Sequence, residues 1–274
     1  MTRVVAALDS SVAAAPVLVA AQSLAELFGA SVEAVHVREN GERIPRAVAA
    51  RVGVPFRLIE GRRTVAALRE SAARESVVAL VVGARRTPAG ARPVGTTALE
   101  VMRGLAKPVV VVPPDTARPG RLRRFLVPLE GTRSTSLAPK SLIHLAQEAD
   151  LEVVVVHVRD ESTLPAFTDQ PQHEVTAWAE EFLARYCPWG VGEVRFEVRI
   201  GRSEEQILLA AQECAADVVA LGWSQELASG RAPVVRAVLE RAHVPILLIP
   251  VRLVGPLTTA RERRVPQESL GALR

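Results

Sequence analysis

Two stretches of this chain carry residue types suited to a ligand site, and the second of them to holding an anion. Asp9-Ser10-Ser11 closes one apolar run, and Gly83-Ala84-Arg85-Arg86 closes another and opens a loop that reaches Gly95-Thr96-Thr97. A helix that starts at Thr96 offers unpaired backbone N–H groups and a partial positive charge; glycine lets the backbone approach a phosphate, and threonine hydroxyls add donors. Charge-assisted hydrogen bonds contribute roughly 1.5–3 kcal/mol each. Three or four from Gly95, Thr96, Thr97 and Arg86 are thus comparable with the roughly 8 kcal/mol that micromolar binding requires. The same Gly-Thr-Thr also reads as an ordinary helix start with threonine as cap. Asp9 reads in two ways as well, as a Mg²⁺ ligand beside a bound triphosphate or as an acceptor of backbone N–H groups in a strand-to-helix turn.

Other reactive types are scattered. His36 and His157 have no partner at metal-ligand spacing, which predicts hydrogen-bonded histidines at strand ends. Cys187 and Cys214 lie far from any CxxC pairing and read as buried thiols, so no zinc site is expected. Ser10, Ser11 and Ser134 have no histidine at a motif distance, so no nucleophile–base pair is in view.

The elements that position these residues repeat. Val35-His36-Val37-Arg38-Glu39 returns as Val156-His157-Val158-Arg159-Asp160, and Asp9 and Glu130 share the same 121-residue separation. Gly61, Gly83, Pro108 and Pro113 recur in order as Gly201, Gly222, Pro245 and Pro250. With 274 residues, the duplication reads as two domains over 1–116 and 121–251, joined by a Pro/Gly/Arg-rich linker and followed by a tail over 252–274. Each half alternates short Val-rich runs with amphipathic stretches, the pattern of strands joined by crossover helices. Strands are predicted at 3–8, 31–37, 56–60, 77–82 and 108–112, then 124–129, 151–158, 194–199, 218–221 and 245–249. Helices are predicted over 16–28, 64–74, 96–105 and, in an insertion of the second half, 173–186, where Trp178, Phe182 and Tyr186 form a core stripe. The first of them stops at Gly29. In such a sheet a ligand sits beyond the carboxyl ends of the strands where their order reverses, the edge to which Asp9 and the Gly83–Thr97 loop both belong. No run of about 18 apolar residues is present and the N-terminus begins a strand at once, so a cytoplasmic protein without membrane span is expected. Net charge is +4, and Lys107 and Lys140 are the only lysines among 34 basic residues. The arginine clusters lack interleaved aromatics and any helix-turn-helix pattern, which argues against nucleic acid as partner.

The opening Val4-Val5-Ala6-Ala7-Leu8-Asp9-Ser10-Ser11, Val35-His36-Val37, Val82-Gly83 with its loop to Gly95-Thr96, and Pro108-Val109-Val110-Val111-Val112-Pro113 resemble the universal stress protein family in tandem form, over residues 1–251. The resemblance implies two doubly wound, Rossmann-like domains, each a five-stranded parallel sheet of order 3-2-1-4-5, whose last strands pair edge to edge so that the chain imitates a dimer; a further homodimer is compatible with it. Its ATP-binding members carry Gly, two residues, Gly, nine residues, Gly and then Ser or Thr. That pattern implies Asp9, Ser10 and Val37 near base and ribose, Gly83 opening the loop, and Gly95, Thr96 and Thr97 on the phosphates. Arg86 stands where the second glycine would be and Gly95 comes one residue early, so Arg86 either supplies a guanidinium to phosphate or blocks the site. In the second half Glu130, Gln225 and Ala232-Pro233-Val234 replace these residues, and the resemblance implies a site degenerate for nucleotide. The alternative to a regulatory ATP-binding protein is a stress-response scaffold that acts through protein partners alone.

Overall fold

The computed structural model describes residues 1–11, 13–38, 45–60, 63–84, 94–116, 122–130, 140–159, 194–225 and 232–251. In the first half the order is β1 (Arg3–Ala7), α1 (Ala14–Phe28), β2 (Ser31–Arg38), α2 (Arg46–Arg51), β3 (Phe56–Glu60), α3 (Thr64–Ala73), β4 (Val77–Gly83), α4 (Thr96–Met102) and β5 (Val109–Val112). The second half follows with β6 (Arg124–Pro128), α5 (Lys140–Glu148), β7 (Glu152–Arg159), β8 (Val194–Ile200), α6 (Ser203–Glu213), β9 (Val218–Trp223), α7 (Pro233–Arg241) and β10 (Ile246–Pro250). Residues 117–120 of the expected linker, helix 173–186 and tail 252–274 lie outside the described residues, as do Cys187, Trp178, Phe182 and Tyr186.

All ten strands form one sheet in the order β3-β2-β1-β4-β5-β10-β9-β6-β7-β8. Within each half the expected 3-2-1-4-5 order appears and every pair is parallel, whereas β5 and β10 meet antiparallel through Val111–Ile246, Val110–Leu247 and Val109–Leu248. That seam satisfies two Val-rich edges that would otherwise expose unpaired backbone groups. Helices cover both faces, so the central strands are buried on both sides and read as unbroken apolar runs: Val4, Val5, Ala79, Leu80, Val110, Leu247 and Leu248 have no exposure. Among the described residues no helix is long and apolar enough to cross a membrane.

Helix ends show the duplication at the level of single bonds. Gly29 adopts φ 55°, its N–H bonds Glu26 O and Ala30 N bonds Ala25 O at 2.8 Å, a Schellman stop. In the second half Asp150 takes the same left-handed place with φ 57°, and Leu151 N bonds Ala146 O at 2.8 Å. Some expectations are corrected. The first helix begins at Ala14, because proline is tolerated throughout the first turn. The short α2 was not foreseen, and α4 ends at Met102 because Gly104 turns the chain with φ 72°.

The amino end of the sheet is tied by one carboxylate. Glu33 on β2, only 8% exposed, receives Arg57 Nε and Arg74 Nη2, both at 2.7 Å, and Arg3 Nη1 at 3.4 Å. Burial alone would raise the Glu33 carboxyl; Arg74 and Arg57 outweigh it and hold the group below its ordinary range. Replacing Glu33 by Gln leaves three guanidiniums without their counter-charge. We expect a loss of roughly 1.5–3 kcal/mol, nearer the lower figure because the arginines are partly exposed and screened. Since the folded-state pKa is the lower one, the gap between Glu33→Gln and wild type in urea unfolding is full at neutral pH. It closes as pH falls through and below the ordinary carboxylate range.

Candidate ligand-binding site

The switch in strand order falls at β1, which pairs with β2 on one side and β4 on the other. Connections leave these strands in opposite directions, so a crevice opens beyond their carboxyl ends. A cavity of about 380 Å³ occupies it, and Asp9, Val37, Gly83, Gly95, Thr96 and Thr97 all line its wall. The residues that the sequence placed at this edge are therefore together. Ser10 is exposed on the turn and is not part of the lining. Arg86 lies outside the described residues.

Asp9 is held by its own turn. Its Oδ1 accepts Ser11 N at 2.9 Å and Ser11 Oγ at 2.5 Å, while Ser11 Oγ accepts Ala13 N at 3.1 Å. The carboxylate thus forms an Asx turn between β1 and α1, as one of the two readings of this residue expected. It remains the only charged side chain in the wall among the described residues.

The Gly95 amide corrects part of the anion-cradle expectation. Its N–H donates to Ala84 O at 2.8 Å and closes the mouth of the loop, so it is not a free donor. Neither glycine is there for backbone strain. Gly95 has φ −57°, and a Cβ there would meet nothing closer than Ala84 O at 3.5 Å. A Cβ on Gly83 would sit 3.5 Å from Ala13 Cβ and 3.6 Å from Val17 Cγ2, ordinary contacts with other residues of the wall. A Cβ fits at both places, and its absence leaves room in the cavity.

Sequence reasoning missed His36, Thr64 and Leu68 as wall residues. Thr64 and Leu68 enter because α3 starts after β3 at the same sheet edge, a signal available once the strand order is known. His36 was expected as a hydrogen-bonded strand-end histidine, and its Nδ1 does lie 2.8 Å from Leu8 O.

The second half differs at each corresponding point. Trp223 follows Gly222 where Ala84 follows Gly83, and it is 2% exposed within the same apolar layer as Val235 and Val238. Ala232 starts α7 with φ 49° and Pro233 supplies no donor at its first position. Gln225, at φ 67°, turns its amide away to Leu105 O of the first half at 2.6 Å.

Comparison with known proteins agrees with this architecture. Residues 121–250 match the model of the universal stress protein family. A universal stress protein from Archaeoglobus fulgidus DSM 4304 has a solved structure similar to this chain, with 15% identity and a TM-score of 0.66, covering 91% of this chain and 98% of that one. A functionally unknown protein from Pseudomonas aeruginosa PAO1 is similar at 14% identity and a TM-score of 0.65, covering 92% of this chain and 93% of that one. No curated protein matches the chain in sequence. The match places residues 121–250 in the universal stress protein family, and the first half repeats their strand order.

Gly83→Ala tests whether this glycine is kept for the fold. Because the added methyl fits and φ is not left-handed, unfolding free energy should stay level or rise by about 0.4–1 kcal/mol. A fall of more than about 1 kcal/mol in a denaturant titration would show that the backbone itself needs glycine there.

Proposed function

We propose that the first half, over 1–116, binds ATP or a related adenine nucleotide as a regulatory ligand in the cytoplasm, and that the second half, over 121–251, is a domain degenerate for nucleotide that braces the first. The observation that carries this reading is the shared wall of Asp9, Val37, Gly83, Gly95, Thr96 and Thr97 around one cavity, the residues on which the resemblance to ATP-binding family members rests. Apolar walls from Leu8, Val17, Val37 and Leu68 suit a planar base. The N–H groups of Thr96 and Thr97 and their hydroxyls would face phosphate, with Asp9 toward the ribose or an accompanying Mg²⁺. Tying up the Gly95 amide removes one donor from that set, so binding of modest strength is expected. It is a binding reaction with at most slow hydrolysis. A scaffold without nucleotide is the reading that remains if titration shows no binding.

Calorimetric titration with ATP and Mg²⁺ should give one site per chain. Gly95→Asp separates site from fold: aspartate at a helix N-cap preserves or raises stability, whereas its charge repels phosphate. Affinity should fall at least tenfold, about 1.4 kcal/mol, with Tm unchanged or higher. Equal affinity in the two proteins would reject the assignment.

A further inference from the structure

The starts of α3 and α4 reach this cavity together, and residues of both helices line it: Thr64 and Leu68 on α3, Thr96, Thr97, Ala98 and Val101 on α4. At seven residues α4 is too short to hold its conformation unaided. Its last carbonyls have no helical partner, and its last turn carries no basic residue. One side chain of α3 meets both needs. Arg69, the neighbour of Leu68, donates through Nη2 to Glu100 O in the last turn of α4 and, at 2.6 Å, to Arg103 O at its end. Its positive charge also meets the negative end of the helix dipole.

The fold does not require this tie. Buried Leu68, Ser71 and Ala72 of α3 correspond in spacing to buried Ile207, Ala210 and Ala211 of α6, which puts Leu208 in the place of Arg69. Leucine has no side-chain donor. α6 and α7 form in the second half all the same, and there α7 carries Arg241 in its own last turn. The tie therefore belongs to the copy in which the two helices line the cavity, rather than to the architecture that both copies share.

We propose that Arg69 is a positioning residue of the site: by holding α4 to α3 it fixes the spacing between the wall that receives the base and the wall that receives phosphate. This rests on the nucleotide reading above, in which Leu68 belongs to the first surface and Thr96 and Thr97 to the second. A ligand that spans both surfaces depends on their spacing; one that meets the base surface alone does not. Without the tie α4 is in the receptive arrangement for only part of the time, and the apparent affinity of a spanning ligand falls by that fraction.

Arg69→Leu installs the side chain that the second half uses at this place, and Arg69→Lys keeps a cationic donor. The probes are ATP and adenosine, which share base and ribose and differ in the phosphates. In calorimetric titration Arg69→Leu should weaken ATP about tenfold and adenosine less than about threefold, and Arg69→Lys should recover most of the loss. Equal losses for the two ligands, or none, overturn the inference and leave nucleotide binding standing; no binding of ATP to the wild type overturns both. A second measurement needs no ligand. Amide hydrogen exchange at Leu99 to Met102 should be about tenfold faster in Arg69→Leu while that at Val4, Val5 and Ala79 stays level, and unchanged exchange in α4 rejects the tie.

Discussion

The pairing of β1 on both of its edges is the constraint from which the rest follows. β1 runs in register with β2 from Arg3–Ser31 to Ala7–Val35, and with β4 from Val4–Ala79 to Ala7–Val82. Because all these pairs are parallel, each connection has to cross a face of the sheet, and those from β1 to β2 and from β4 to β5 run in opposite directions. The polypeptide cannot close over the carboxyl end of β1. The turn at Asp9, the end of β2 at Val37, the end of β4 at Gly83 and the starts of α3 and α4 are all delivered to that gap, whatever their side chains. Function then depends on what residues the chain places there.

The two halves are a natural comparison in which topology is held constant and those residues change. The ladder between β1 and β4 continues to Ala7–Val82, whereas that between β6 and β9 pairs only Phe125–Val218 and Leu126–Val219. Pro128 stands in the place of Ala7 and has no N–H to give, so the second pair of strands separates earlier. Trp223 is buried beside this separation, where the first half has the methyl of Ala84. The Trp223 indole stands in place of the Ala84 methyl, and Pro233 in place of the Thr96 N–H. The histidine–carbonyl bond, made by His36 to Leu8 O and by His157 to Leu129 O, and the left-handed helix stop survive in both copies, which marks them as requirements of the fold.

That division explains what could be read from sequence. Strands were legible because burial on both faces imposes unbroken Val and Leu runs, and Val78–Val82 or Val109–Val112 fit little else. Their ends shifted by one or two residues: β1 stops at Ala7 although Leu8 is still buried, and β2 runs on to the exposed Arg38. The short α2 was missed because six residues carry too little periodicity to show. Convergence of Asp9 with Gly95 was legible because strand order fixes it. The use of the Gly95 amide by Ala84, the Asx turn that occupies one oxygen of Asp9, and the tie from Arg69 to the end of α4 were not. Each is set by which backbone atom meets which side chain across the fold, and neither spacing nor composition records that.

The threonine pair is positioned from both ends of its helix, and one of those ends reaches the second half. At seven residues α4 is too short to hold a helical conformation alone. Its first turn is anchored by Gly95 N on Ala84 O. Its last turn leaves carbonyls without helical partners, and these are taken up from outside: Arg69 of α3 donates to Glu100 O and Arg103 O, and Gln225 donates to Leu105 O just beyond. Gln225 stands where the resembled nucleotide motif would have its second glycine, and here it ties down the chain just beyond the helix that carries Thr96 and Thr97 in the cavity wall. The second half in this sense supports the cavity wall without lining it. The β5–β10 seam provides the rigid frame across which that support acts.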